Sequence, residues 1–183
     1  MKYVINKQKL YSIALLSAAM ILILVSIACT APYAYITNSG SNNVSVIDTA
    51  TNKVVTKVSV GINPYGVAVT PDGTKVYVTN EGNDNVSVID TINNTVTATV
   101  NGLNYPYGIA VTADGTKVYV ANKGNNTVSI IDTTTNTISA TVDVGSNPFG
   151  IAATPGVTNV YVTNSNAGVV TVLTQQAMLL QPR

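Results

Sequence analysis

Three carboxylates, Asp48, Asp90 and Asp132, recur at one constant spacing, each closing a Val-Ser-Val-Ile or Val-Ser-Ile-Ile run. A ring of repeated aspartates has the charge to hold calcium. An aspartate in that place also closes an Asx turn by accepting from the backbone that follows, and the chain has no EF-hand loop, so the turn reading carries more weight. Asp72 and Asp114, each before a glycine, read as hairpin residues. A second repeated set is aromatic: Tyr65, Tyr107 and Phe149 follow Pro64, Pro106 and Pro148. Rings so placed can stack on sugars or on a partner's loop, or can fill a corner of the fold.

The missing residue types bound the chemistry further. The chain has no histidine, no tryptophan and a single cysteine, Cys29. Imidazole and thiolate metal centres and histidine-based acid–base catalysis are thereby removed, and the expectation is a non-enzymatic protein with no metal and no cofactor. Asn43, Asn85, Asn93 and Asn125 each open an Asn-X-Ser/Thr sequon and are candidate glycosylation sites in an exported chain.

The elements that position these residues are copies of one unit. Tyr35-Ile36-Thr37-Asn38, Tyr77-Val78-Thr79-Asn80, Tyr119-Val120-Ala121-Asn122 and Tyr161-Val162-Thr163-Asn164 share the spacing of the aspartates. A period of roughly 40 residues marks a solenoid, propeller or array. Within one copy, Val76-Tyr77-Val78-Thr79, Val86-Ser87-Val88-Ile89, residues 95–100 and residues 107–112 read as four short strands separated by Asn-, Asp- and Gly-rich turns. Four strands per repeat without helical periodicity predict an all-β fold of β-propeller blades, the small, apolar strand opening at Tyr65, Tyr107 or Phe149 lying innermost. Asn38, Asn80, Asn122 and Asn164 close the tyrosine strand and suit left-handed turn geometry.

The Tyr-Val-Thr-Asn anchor, the Val-Ser-Val-Ile-Asp-Thr strand end and the Asn-Pro-Tyr-Gly-Val-Ala-Val-Thr-Pro-Asp-Gly segment resemble the YVTN family of β-propeller repeats over roughly residues 34–164. The resemblance implies a role like that of archaeal surface-layer and cell-surface proteins. It also keeps a second class in view, since related propellers occur in lactonases and redox enzymes.

Lys2, Lys7 and Lys9 precede an uncharged apolar run at residues 11–28, the pattern of an export signal or of an N-terminal membrane anchor. Both readings place the repeats outside the membrane, at the cell surface or beyond it, with membrane contact only through the leader. Cys29 after Ser26-Ile27-Ala28 resembles a lipidation site, with serine where leucine is usual. From Cys29 onward six basic residues face eight acidic ones, a formal charge of −2, and no Lys/Arg cluster exists to hold nucleic acid. The organisation expected is a leader at 1–28, repeats at 33–173 and an unstructured tail at 174–183. Two blades are complete, the first lacks its inner strand and the fourth stops early, so the expected shape is an arc of three to four blades with apolar end faces that favour self-association. The function expected is an exported surface module making protein or glycan contacts, with a lactonase-like enzyme or sensor as the alternative.

Overall fold

The computed structural model describes residues 33–155 and 159–174; the leader, Cys29 and the tail beyond Thr174 lie outside them. Fourteen strands form among the described residues, in four antiparallel sheets. The first sheet holds β1 (Tyr33–Asn38), β2 (Asn43–Asp48) and β3 (Lys53–Ser59). The second is β4 (Pro64–Val69), β5 (Lys75–Asn80), β6 (Asn85–Asp90) and β7 (Thr95–Asn101), and the third repeats it as β8 (Pro106–Val111), β9 (Lys117–Asn122), β10 (Thr127–Asp132) and β11 (Thr137–Asp143). The fourth has β12 (Pro148–Ala153), β13 (Val160–Asn164) and β14 (Val169–Leu173). Each sheet is a meander of neighbouring strands, and the sheets follow one another through packing of β1 on β4, β4 on β8 and β8 on β12. The result is a propeller-like series in which the second and third sheets are complete, as the repeat predicts.

The strand pattern follows from burial on both faces. Val76, Tyr77, Val78, Thr79 and Asn80 are all buried, because a sheet covered on both sides selects a continuous β-branched run rather than an alternating one. In β13 only Val160, Val162 and Asn164 are buried, while Tyr161 is exposed: one face is covered and the other is not.

Three core layers separate the four sheets, and each repeats the last. Tyr35, Val44 and Val46 meet Val76, Val78 and Ile89. Tyr77, Val86 and Val88 meet Val118, Val120 and Ile131, and Tyr119, Val128 and Ile130 meet Val160, Val162 and Leu173. The tyrosine hydroxyls are not left dry, since Tyr35 donates to Asn94 Oδ1 at 3.1 Å and Tyr77 to Asn136 Oδ1 at 2.7 Å, each in the sheet beyond.

The turns correct one reading. Asn38 and Asn80 are extended, with φ of −118° and −113°, so their role is not left-handed geometry. Asn80 Nδ2 instead donates to Asn85 Oδ1 and Ser87 Oγ, at 2.8 and 2.9 Å, and Asn38 and Asn122 tie down the same hairpin in their own sheets. The left-handed positions fall elsewhere, again once per repeat in each of three places: Asn42, Asp84 and Asn126; Asn52, Asn94 and Asn136; Asn63, Tyr105 and Asn147. Asparagine and aspartate tolerate this region best among residues with a Cβ.

Candidate functional site

Asp48, Asp90 and Asp132 are turn caps. Asp48 Oδ1 accepts from the backbone N–H of Ala50 and Thr51, Asp90 Oδ1 from Ile92 and Asn93, and Asp132 Oδ1 from Thr134 and Thr135, at 2.8–3.2 Å. Asp72 and Asp114 do the same in the hairpins, where each also accepts from a threonine hydroxyl, Thr70 or Thr112. Among the described residues no group of three or more His, Cys, Asp or Glu side chains is gathered for a metal ion.

The aromatic set is brought together. The inner strands break register at one end: Pro64 pairs with Asn80 but the next partners are Val67 and Val78, and the same jump separates Pro106 from Ile109 and Pro148 from Ile151. Tyr65, Tyr107 and Phe149 sit in these bulges, and bulges re-aim side chains. Thr79 holds one in place, its hydroxyl accepting from Gly66 N at 2.7 Å and donating to Tyr107 O at 2.8 Å across the junction. Thr37 donates to Tyr65 O at 2.8 Å in the junction before. The ring centroids of Tyr65 and Tyr107 lie 3.7 Å apart, those of Tyr107 and Phe149 4.5 Å, and those of Tyr65 and Phe149 6.0 Å. Tyr65 is 43% and Phe149 37% exposed, so the cluster is a partly open surface rather than core filling.

One lysine and one glutamate act on the Tyr107 ring, a feature that repetition of the rings does not reveal. Lys123 Nζ stands 4.9 Å from the centroid of the Tyr107 ring, within cation–π range. Glu81 accepts a hydrogen bond from Asn63 Nδ2 and acts on Tyr107 through its charge. Burial first, then hydrogen bonding with Tyr65, and finally the Tyr65 and Glu81 charges raise the Tyr107 phenol above its ordinary value. The signal was present in the repeat: the position after the Asn anchor reads Ser39, Glu81, Lys123 and Ser165, so the two central copies alone carry charge there. Tyr105 is a second departure, exposed and left-handed at φ 46° where its counterparts are asparagines. A groove of about 300 Å³ lined by Ser59, Val60, Gly61, Asn85, Ser87, Val96 and Thr99 lacks both rings and charges.

The four sequons differ in availability. Asn43 and Asn85 accept from the hairpin asparagines Asn38 and Asn80, whose Nδ2 also binds Ser45 or Ser87 of the same sequon. Asn93 and Asn125 are exposed and, among the described residues, bond within their own turns, Asn93 to Asp90 and Thr95 and Asn125 to Thr127.

A protein-family comparison matches residues 9–122 to the YNCE-like beta-propeller family. Among solved structures, hydrazine synthase of Kuenenia stuttgartiensis is similar at 27% identity and a TM-score of 0.64, over 78% of this chain and 46% of that one. Virginiamycin B lyase of Staphylococcus aureus, solved as a catalytically inactive variant with quinupristin, is similar at 16% identity and a TM-score of 0.69, over 79% of this chain and 50% of that one. This chain therefore spans about half the length of each. A PE-PGRS family protein of Mycobacterium tuberculosis, PE_PGRS18, is 57% identical over 37 residues, 20% of this chain and 8% of that protein.

These neighbours correct the expectation of a non-enzymatic protein. The same fold houses a synthase and a lyase, and the absence of histidine removes imidazole chemistry only; tyrosine, lysine and carboxylate groups remain. Sharing the fold does not by itself establish an activity.

Proposed function

The chain belongs to the YNCE-like beta-propeller family, and from that premise we propose that it is an exported cell-surface module that makes contacts through its aromatic mouth, with glycan the ligand best matched to it. The observation that carries this reading is the meeting of Tyr65, Tyr107 and Phe149 at one end of the inner strands. Partly exposed rings offer apolar faces to the C–H faces of pyranoses, while Glu81 can accept from sugar hydroxyls and Lys123 can donate to them. The leader, and the resemblance of residues 34–164 to YVTN repeats of archaeal surface-layer proteins, support a place at the cell surface.

A glycan array probed with the full chain tests the reading. Binding to a subset of glycans, weakened about tenfold by Tyr107→Ala, is the expected result. No binding to any glycan, or binding indifferent to both Tyr107→Ala and Phe149→Ala, would sink it. A lactonase-like enzyme is the second reading, drawing on the enzymes that share the fold and on Glu81 and Lys123 beside the rings. Saturable lactone hydrolysis lost in Lys123→Met would favour it over binding alone.

A further inference from the structure

Two of the three mouth aromatics are phenols, and they are neighbours. Tyr65 lies at the start of β4 in the second sheet and Tyr107 at the start of β8 in the third, their ring centroids 3.7 Å apart and their planes tilted by 37°. Backbone anchors fix that spacing: Thr37 donates to the Tyr65 carbonyl and Thr79 to the Tyr107 carbonyl, both at 2.8 Å. Gly66 beside Tyr65 lets the strands approach, since the Tyr107 carbonyl oxygen lies 2.5 Å from where a Cβ would stand. The Tyr65 and Tyr107 hydroxyls also hydrogen-bond each other. The carbons ortho to a phenol oxygen adjoin the carbon that bears it, so hydroxyls in contact on rings this close bring one ortho carbon of each ring together. Tyr65 is 43% exposed and Tyr107 partly so, which leaves the pair open to an oxidant. Their next copy is Phe149, which has no phenol, and Tyr35, Tyr77 and Tyr119 are buried in three separate core layers.

We propose that Tyr65 and Tyr107 form an oxidative cross-linking site, joined by an ortho carbon–carbon bond when a haem peroxidase acts on the chain with hydrogen peroxide. Each phenol gives up one electron and its hydroxyl proton, the two ring radicals couple at their ortho carbons, and the two ortho hydrogens then pass to the phenol oxygens and restore both rings. The chain loses two hydrogen atoms in all, and these reduce one hydrogen peroxide to two waters. The bond ties β4 to β8 and so staples the second sheet to the third, a covalent link that a chain with one cysteine cannot make by an internal disulfide. Prior contact of the rings makes the coupling intramolecular and favours it over encounters between molecules. The site requires no glycan at the mouth and stands apart from that reading.

The test treats the full 183-residue chain, in detergent micelles, with a haem peroxidase and hydrogen peroxide, and follows dityrosine fluorescence and the mass of proteolytic peptides. The expected product is a peptide pair joining Tyr65 to Tyr107 and lighter by two hydrogen atoms, in a chain that still runs as a single molecule on a denaturing gel. Its fractional yield should not change when the protein is diluted about tenfold, because the partners are held in one molecule. Tyr65→Phe and Tyr107→Phe each remove one hydroxyl from a partly exposed ring, should keep the wild-type circular dichroism spectrum, and should each lower the dityrosine signal at least about tenfold. Tyr105→Phe, at the exposed tyrosine nearest in sequence, should leave it unchanged. Cross-links that join separate molecules and fade on dilution would overturn the proposal, as would a link that survives both Tyr65→Phe and Tyr107→Phe or is lost in Tyr105→Phe. So would oxidation of the exposed tyrosines with no cross-link formed.

Discussion

Tyr105 is the residue at which the repeat departs from its own turn chemistry. Its copies Asn63 and Asn147 take φ of 55° and 56° at little cost, and a tyrosine at 46° lacks the short amide that makes the region tolerable. Its carbonyl oxygen accepts from Lys123 N at 3.1 Å, which ties this turn to the lysine that stands over the Tyr107 ring. Tyr105→Asn should therefore stabilise the protein by about 1 kcal/mol in denaturant unfolding while weakening any glycan bound at the mouth. An unchanged midpoint would show that the tyrosine is not strained. Asp132 supplies a second prediction. The Lys117 ammonium, hydrogen-bonded at 2.6 Å, then the backbone N–H groups of Thr135 and Thr134, hold its carboxyl at about 2 instead of 3.8. A folded value below the unfolded one gives stability that is present above pH 3.8 and is lost as pH falls through about 2. Lys117→Met should lower stability at neutral pH, and its deficit relative to wild type should shrink across that window in acid unfolding.

At the scale of elements, glycine records where the inner strands touch. A Cβ on Gly66 would meet the Tyr107 carbonyl oxygen at 2.5 Å and Ile109 Cγ2 at 2.9 Å, backbone and core that cannot yield. At Gly150, its copy in the fourth sheet, the nearest atom is Thr163 Oγ1 at 3.1 Å. Gly66→Ala should cost about 3 kcal/mol and Gly150→Ala under about 1 kcal/mol in thermal or chemical unfolding. Equal costs would mean that the inner strands do not pack in series. Much of this architecture was legible in the sequence, because the constant period and the Pro-aromatic-Gly strand openings encode both the strands and their order. The Asx turns were legible for the same reason, being local chemistry. The role of Asn80 was not, since its partners Asn85 and Ser87 lie across a hairpin and only the folded register brings them to its amide. Nor was the mouth complete: the rings were found by repetition, whereas Glu81 and Lys123 matter because they differ between copies.

For the whole molecule, one repeated surface does two jobs, burying sheet against sheet and leaving a ring-lined mouth where the inner strands begin. The proposed placement at the cell surface rests on reading residues 1–28 as an export signal or anchor, so deleting them should leave the product in the cytoplasm on cell fractionation. Recovery of the shortened chain outside the membrane would contradict that assignment. The most direct measurement of the central proposal is a titration of the full chain, carrying isotope-labelled tyrosine and phenylalanine rings, with neutral and acidic oligosaccharides while the ring resonances are followed by NMR. Saturable shifts confined to Tyr65, Tyr107, Phe149 and Tyr105, abolished by Tyr107→Ala, are the expected result. Shifts centred on Tyr33 or Tyr161, or none with any oligosaccharide, would contradict it.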